Sequence, residues 1–320
     1  MKLTLLSSTL KADFDIIEKE MELAIQSEMG LLQKASVQLL KAGGKRIRPV
    51  FVLLSAKFGT YNIQSIKNTA VALELIHMAS LVHDDVIDDA QLRRGQPTIN
   101  YIWDERIAMY TGDYILARSL EYMTNIHNAL AHQILSNAII EVCMGEIDQI
   151  KDKYRFNQNL RDYFRRIKRK TALLIAVSCQ LGAVSAGADE KIHRKLYKFG
   201  YFIGMSYQII DDILDFTGSE KELGKPAGED LRQGNITLPV LYAMKNETLR
   251  PSILKVNEHT TNEEMVDIIS AIKNSGAIEK AYSVSRMYLK KAITVLDELP
   301  PIKAKKILRD IAFYIGKRKY

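Results

Sequence analysis

The chain has 320 residues, 47% apolar and 26% charged, which excludes a disordered or fibrous protein and allows one large domain or two ordinary ones, with a sizeable core. Seven prolines and 17 glycines are few for this length and favour long helices over a turn-rich β architecture. The net charge is +7, yet the basic residues fall in short clusters without interleaved aromatics, which argues against a nucleic-acid partner; two cysteines with no CxxC and no His/Cys cluster argue against structural zinc.

The opening MKLTLLSSTLKADFD is too short in its apolar part, and too soon acidic, for a secretory signal. From Asp13 onward, apolar residues recur at three- and four-residue steps as far as Gly43–Gly44, which end the pattern as a helix stop. Pro49 sits where a first helical turn tolerates it. Ser65 is expected to cap the helix IKNTAVALELIHMASLVHDDVIDD. Helical patterns continue through AHQILSNAIIEVCMGEIDQIKDKY, LRDYFRRIKRKTALLIAVSCQLGAVSAG and EKIHRKLYKFGYFIGMSYQIIDDILDF, and amphipathic helices such as NEEMVDIISAIKNSG complete the chain. Thr171–Ala188 carries no charge, but its Thr, Ser, Gln and Gly make it a buried central helix rather than a membrane span. Cys143 and Cys179 read as small buried apolar residues in a reducing compartment. No low-complexity linker divides the chain, so the expectation is a single all-α domain over residues 1–320, with Thr217–Pro239 as a functional loop.

One pattern occurs twice. DDVID at 84–88 and DDILD at 211–215 are both D-D-x-x-D, each at the end of a long apolar helix and each followed by basic residues. On a helix, positions i, i+1 and i+4 share a face. The first face runs Asp88, Asp85, Asp84, Leu81, His77, Glu74; the second runs Asp215, Asp212, Asp211, Gln208. A solvated acidic face is the plain alternative, but these helices are too apolar to lie on a surface. Carboxylates without His or Cys among them suit a hard cation such as Mg²⁺, which completes its shell with water and substrate phosphates. Two facing clusters would hold several Mg²⁺ ions around one diphosphate, with neighbouring Lys and Arg on its remaining oxygens. His77 shares the first face and is assigned to the site; His83 points elsewhere and reads as structural.

With these residues in hand, the chain resembles the trans-isoprenyl (polyprenyl) diphosphate synthases. The resemblance rests on DDVID, DDILD, GGKRIRP at 43–49, LRRG at 92–95, RKT at 169–171, MSYQIIDD at 205–212, GKPAGED at 224–230 and, in part, QGNITLP at 233–239. IHMASLVHDDVIDDA and RRIKRKTALLIAVSCQLGA are similar to the catalytic component of the two-component bacterial heptaprenyl diphosphate synthases. The resemblance implies a helical bundle around a central active-site cavity. It implies metal ligation by Asp84, Asp88, Asp211 and Asp215, with Asp85 and Asp212 supporting catalysis. It implies an allylic diphosphate site of Arg93, Lys170, Thr171, Gln208 and Lys225. Lys45, Arg48, His77 and Arg94 would clamp isopentenyl diphosphate, with Arg46 a lesser candidate. A smaller non-catalytic partner subunit, or a homodimer, is implied as well, in the cytoplasm with peripheral membrane contact for product release. The product would serve a quinone side chain such as that of menaquinone.

Two positions depart from the family pattern. Asn235 stands where many members carry a diphosphate-binding Lys. Gln149 stands where short-chain members carry a metal-assisting Asp, so Asp148 is not assigned as a ligand. The same resemblance bears on chain length: short-chain members carry aromatic residues five and four positions before the first aspartate, where this chain has the small Ala79 and Ser80. It implies a growing tail that passes them toward Ile76 and Ala72 and reaches six or seven isoprene units. The rivals are a homodimeric synthase of another length, a terpene cyclase and a non-catalytic helical subunit. The basic tail GKRKY either touches anionic lipid, helps close the site or is merely solvated.

Overall fold

The computed structural model describes residues 8–44, 46–219 and 226–318. The chain divides into two compact units, one formed from within residues 1–136, 177–197 and 300–307, the other from within 137–176, 198–299 and 308–320. Among the described residues the elements are helices, apart from one two-stranded hairpin. The all-α expectation is met.

In the first unit, α1 (Ser8–Ala24) and α2 (Gly30–Lys41) are separate helices, where the apolar period predicted one. The break is local polar chemistry. The Ser27 N–H donates to Gln33 Oε1 at 2.6 Å, and the Met29 N–H donates to Ser27 Oγ at 3.2 Å. Side chains thus satisfy backbone donors that a helix would otherwise pair. Gly43 follows α2 at φ +71°, the left-handed position that ends helices. Next come α3 (Ile47–Ala56) and α4 (Ile63–Ile87). The cap of α4 is Asn62, not Ser65: its extended backbone lets its side-chain oxygen take the Gln64 N–H at 3.0 Å. α4 is buried on nearly all sides from Thr69 to Ala79 and packs mainly on α6 (Glu105–Thr124), then on α3 and α1. Between them lie strands β1 (Leu92–Arg93) and β2 (Gln96–Pro97), with Arg93 opposite Gln96, and the short α5 (Ile99–Ile102).

α7 (Ala129–Asp152) carries Cys143 on its exposed side, so this cysteine is not buried as expected; Cys179 is, and burial pushes its thiol up to about 12. α8 (Leu160–Ile167) runs into a π turn at Lys168–Ala172 and then into α9 (Leu173–Ser185), whose residues are buried apart from Gln180 and Ser185. No helix among the described residues is long and apolar enough to cross a membrane. α10 (Glu190–Thr217) brings Ile209, Ile213 and Phe216 into the core of the second unit, against Tyr163, Leu238 and Ile272. The short α11 (Glu229–Arg232) and α12 (Leu238–Ala243) precede α13 (Arg250–Ile253), α14 (Asn262–Asn274), α15 (Ala277–Asp297) and α16 (Lys303–Gly316).

Candidate active site

α4 ends inside the first aspartate motif. Asp88 is its C-cap, its N–H bonded to the Asp84 carbonyl at 2.9 Å. Asp84 and Asp88 are partly exposed, whereas Asp85 is buried. Asp85 Oδ1 accepts both Arg93 Nε at 2.6 Å and Arg93 Nη2 at 2.5 Å. Burial raises the Asp85 carboxyl while the guanidinium opposes that rise. Asp85 therefore spends itself on aiming Arg93. The hairpin beyond Arg93 turns through Arg94 (φ +54°) and Gly95 (φ +75°). Two left-handed residues make the tight turn that suits a twisted hairpin, and Asn or Gly is the usual first choice. An arginine held there is strain of the kind found at functional sites. Its guanidinium lies so close to Gly44 that a Cβ would stand 2.6 Å from Nη1. Gly44 and the Arg94–Gly95 turn are thus brought together.

His77 lies two turns before Asp84. It keeps a strip of accessible surface, yet burial comes first among the reasons its imidazole stays well below 6.5. The field of Arg48, Arg94, Arg93 and Arg46 then adds to the effect. Of the four predicted isopentenyl diphosphate contacts, Arg48, His77 and Arg94 share this cationic neighbourhood, and Lys45 lies outside the described residues. Arg46 is a structural residue: it is buried at φ +45°, with Nε on Glu18 (2.9 Å), Nη1 on Glu74 (3.2 Å) and Nη2 on the Leu40 carbonyl (3.2 Å). Ala72, Ile76 and Ala79 are buried along α4; Ser80 is partly buried and bonds back to the His77 carbonyl at 2.9 Å. His83 contacts Asp113 at 3.3 Å against α6, in keeping with a structural role.

In the second unit, Asp212 is buried and has both carboxylate oxygens held by the protein. Tyr163 OH donates to Oδ2 at 2.7 Å and Gln208 Nε2 to Oδ1 at 2.8 Å. Burial is the main cause that raises this carboxyl to about 7. Gln208 Oε1 accepts from Thr171 Oγ1 at 2.5 Å, so Thr171, Gln208, Asp212 and Tyr163 form one relay. Asp215 is buried, and its Oδ2 accepts the Asp230 N–H at 3.3 Å. Asp211 is partly exposed, and its Oδ1 takes Arg318 Nη1 at 2.5 Å. Lys170 and Thr171 sit in the π turn, a helix irregularity that recurs at functional sites. Lys170 Nζ donates to Gln149 Oε1 at 2.8 Å, and Arg169 bonds Glu141 at 3.1 Å and also Asp148. Asp148 is thus engaged as an ion-pair partner. Lys225 lies outside the described residues. Sequence reasoning missed Tyr163, which no motif marks, and the contact of Arg318, flagged only as part of a basic tail.

Residues 29–274 match the polyprenyl synthetase family. The chain belongs to that family. It is 63% identical to heptaprenyl diphosphate synthase component 2 of Bacillus subtilis (strain 168), over 100% of this chain and 92% of that protein. It is similar to the crystal structure of heptaprenyl diphosphate synthase from Staphylococcus aureus, with TM-score 0.94, 43% identity, and coverage of 97% of this chain and 99% of the other. It is also similar to a polyprenyl synthase from Caulobacter crescentus CB15 complexed with calcium and isoprenyl diphosphate, with TM-score 0.94, 30% identity, and coverage of 100% and 98%.

Members of the polyprenyl synthetase family generally depend on Mg²⁺. Among the described residues, no three His, Cys, Asp or Glu side chains converge as a ready metal cage. The donor chemistry nevertheless fits this ion. Each cluster offers carboxylate oxygens alone, and Mg²⁺ needs only one or two of them when water and phosphate complete its octahedron.

Proposed function

We propose that this chain is the catalytic component of a two-component heptaprenyl diphosphate synthase, extending an allylic diphosphate such as farnesyl diphosphate with isopentenyl diphosphate in trans. The observation that carries the proposal is the end of α4, where Asp84 and Asp88 flank an Asp85–Arg93 pair and His77 lies in the electrostatic field of four arginines. Carboxylates for a hard cation next to cations for phosphate are what a metal-diphosphate substrate requires. The relatives support it: two bear the heptaprenyl name, and the Caulobacter enzyme was complexed with calcium and isoprenyl diphosphate. Their coverage of at least 97% of this chain supports one catalytic domain over 1–320.

In this reading Asp84, Asp88, Asp211 and Asp215 hold Mg²⁺, several ions per site. When bound, these ions neutralise the leaving diphosphate. Arg93, Lys170 and Lys225 bind the same diphosphate. The allylic C–O bond breaks with its electron pair on the diphosphate, leaving an allylic cation. Thr171 commits its hydrogen to Gln208, so its oxygen lone pairs remain to stabilise that cation. Gln208, fixed by Asp212, orients the substrate. Lys45, Arg48, His77 and Arg94 hold isopentenyl diphosphate while its double bond forms the new C–C bond. The departing diphosphate takes the proton whose loss restores a double bond. Catalysis is then positioning and electrostatics. The tail grows past Ala79 and Ser80 toward Ile76 and Ala72. The very apolar product leaves at a membrane surface, by peripheral contact, and serves quinone side-chain synthesis. The small-subunit requirement follows the "component 2" of the relative's name.

The test is incubation with farnesyl diphosphate, labelled isopentenyl diphosphate and Mg²⁺, with and without the smaller subunit, and with the products sized. Heptaprenyl product only with the partner bears the proposal out. Long-chain product from this chain alone marks a homodimeric synthase. No Mg²⁺-dependent diphosphate release under any condition marks a non-catalytic subunit.

A further inference from the structure

Arg318 lies just beyond α16, in the basic tail that the reaction above leaves without a role. Its side chain is 11% exposed, with Nη1 on Asp211 Oδ1 at 2.5 Å. Its guanidinium carbon lies 4.8 Å from the centre of the Tyr207 ring, one helical turn before Asp211 on α10. At Gly316 the tail packs close against α15. A Cβ there would stand 2.4 Å from Leu289 Cδ2 on α15. The Lys317 N–H closes on the Phe313 carbonyl at 3.1 Å, and the Arg318 N–H on the Ile315 carbonyl at 3.2 Å, so the backbone is anchored as well. Beside the tail is a cavity of about 600 Å³ lined by Ile210, Tyr282, Ser285, Arg286 and Leu289, which leaves room for a long side chain to swing.

Asp211 is the first carboxylate of the second D-D-x-x-D motif, and Arg318 occupies one of its two oxygens, Oδ1. The geometry points to Arg318 as a positioning residue: an internal cation that holds Asp211 in place until the metal arrives, and that must leave its oxygen for the metal to bind. This rests on the reading of Asp211 as a metal ligand. Arginine suits the role, since it is always charged, its planar fork matches a carboxylate, and the ring face of Tyr207 shelters it. An internal competitor lowers the apparent affinity of the metal by the fraction of time the site is free. Metal entry and release of the C-terminal tail are then two sides of one equilibrium.

The probe is Mn²⁺ alone, an EPR-visible substitute for Mg²⁺, titrated into the full chain without any diphosphate. Amide exchange of residues 313–318 is followed in parallel. Arg318→Gln is expected to bind Mn²⁺ about fivefold more tightly than the parent chain. Arg318→Lys, which keeps the charge, stays near the parent, and Asp211→Asn binds more weakly. Tail exchange is expected to be faster in Arg318→Gln and Asp211→Asn, and to quicken in the parent chain when Mn²⁺ is added. If Asp211→Asn weakens binding but Arg318→Gln does not tighten it, the tail has no hold on the metal and the inference is overturned while the ligand reading stands. If Asp211→Asn binds as the parent does, the ligand reading fails and the inference fails with it.

Discussion

Lys170 donates its ammonium to the side-chain carbonyl of Gln149 across 2.8 Å. The acceptor is neutral, so it aims the lysine without cancelling its charge. Gln149→Glu keeps the shape and adds a negative charge at hydrogen-bond distance. The expected result is about a tenfold rise in KM for the allylic diphosphate, with the KM for isopentenyl diphosphate unchanged. An unchanged allylic KM would remove Lys170 from that site.

The field around His77 makes a pH prediction. Its folded imidazole stays neutral well below 6.5, whereas in the unfolded chain it takes up a proton near that value. The unfolded state therefore binds more protons once the pH drops below 6.5. The contribution of His77 to stability is complete above 6.5 and is lost as pH falls from there toward the folded pKa. His77→Gln should lose less stability than the parent chain between pH 6.5 and 5.5, by about 1 kcal/mol. Urea unfolding at the two pH values measures this, and identical losses would contradict it.

Tyr163 is fully buried and donates to Asp212. Tyr163→Phe keeps the ring and leaves a buried carboxylate oxygen without its donor. The cost to stability should be roughly 1–3 kcal/mol. Gln208 also loses part of its hold, so kcat should fall while the KM for isopentenyl diphosphate stays the same. A variant with parent-like kcat would reduce the relay to a purely structural feature.

Ala79 and Ser80 set product length in the proposed reaction. Ala79→Tyr and Ser80→Phe each place a ring beside the first aspartate motif. Both are expected to shorten the products, as read by chromatographic sizing. Unchanged length in both variants would dismiss the tunnel along α4.

Helix content was legible in the residues because a 3.6-residue apolar period survives almost any tertiary context. The buried character of α9 was legible too, since its polar residues are too many for lipid and its charges too few for a surface. Helix boundaries were less so. The break after α1 and the Asn62 cap depend on single side chains meeting single N–H groups, which a periodicity does not encode. Cys143 was misjudged because burial belongs to a helix face rather than to a residue type.

The two aspartate clusters, the basic residues that follow them and His77 on the first face stand out through spacing and residue chemistry, whereas the roles given to Lys45, Arg48 and Lys170 come from the family resemblance. Spacing along a helix is local, and so is the preference of a carboxylate cluster for a hard cation. Which carboxylate is spent on an arginine, and which is held between a tyrosine and a glutamine, was decided only by the tertiary structure. Asp85 and Arg93 are eight residues apart, Asp212 and Tyr163 are 49, and Asp211 and Arg318 are 107. The first is set by the hairpin that follows α4, and the other two arise when distant segments pack, which follows total shape and burial. A motif therefore specifies which groups are available, and the fold decides which of them remain for the substrate.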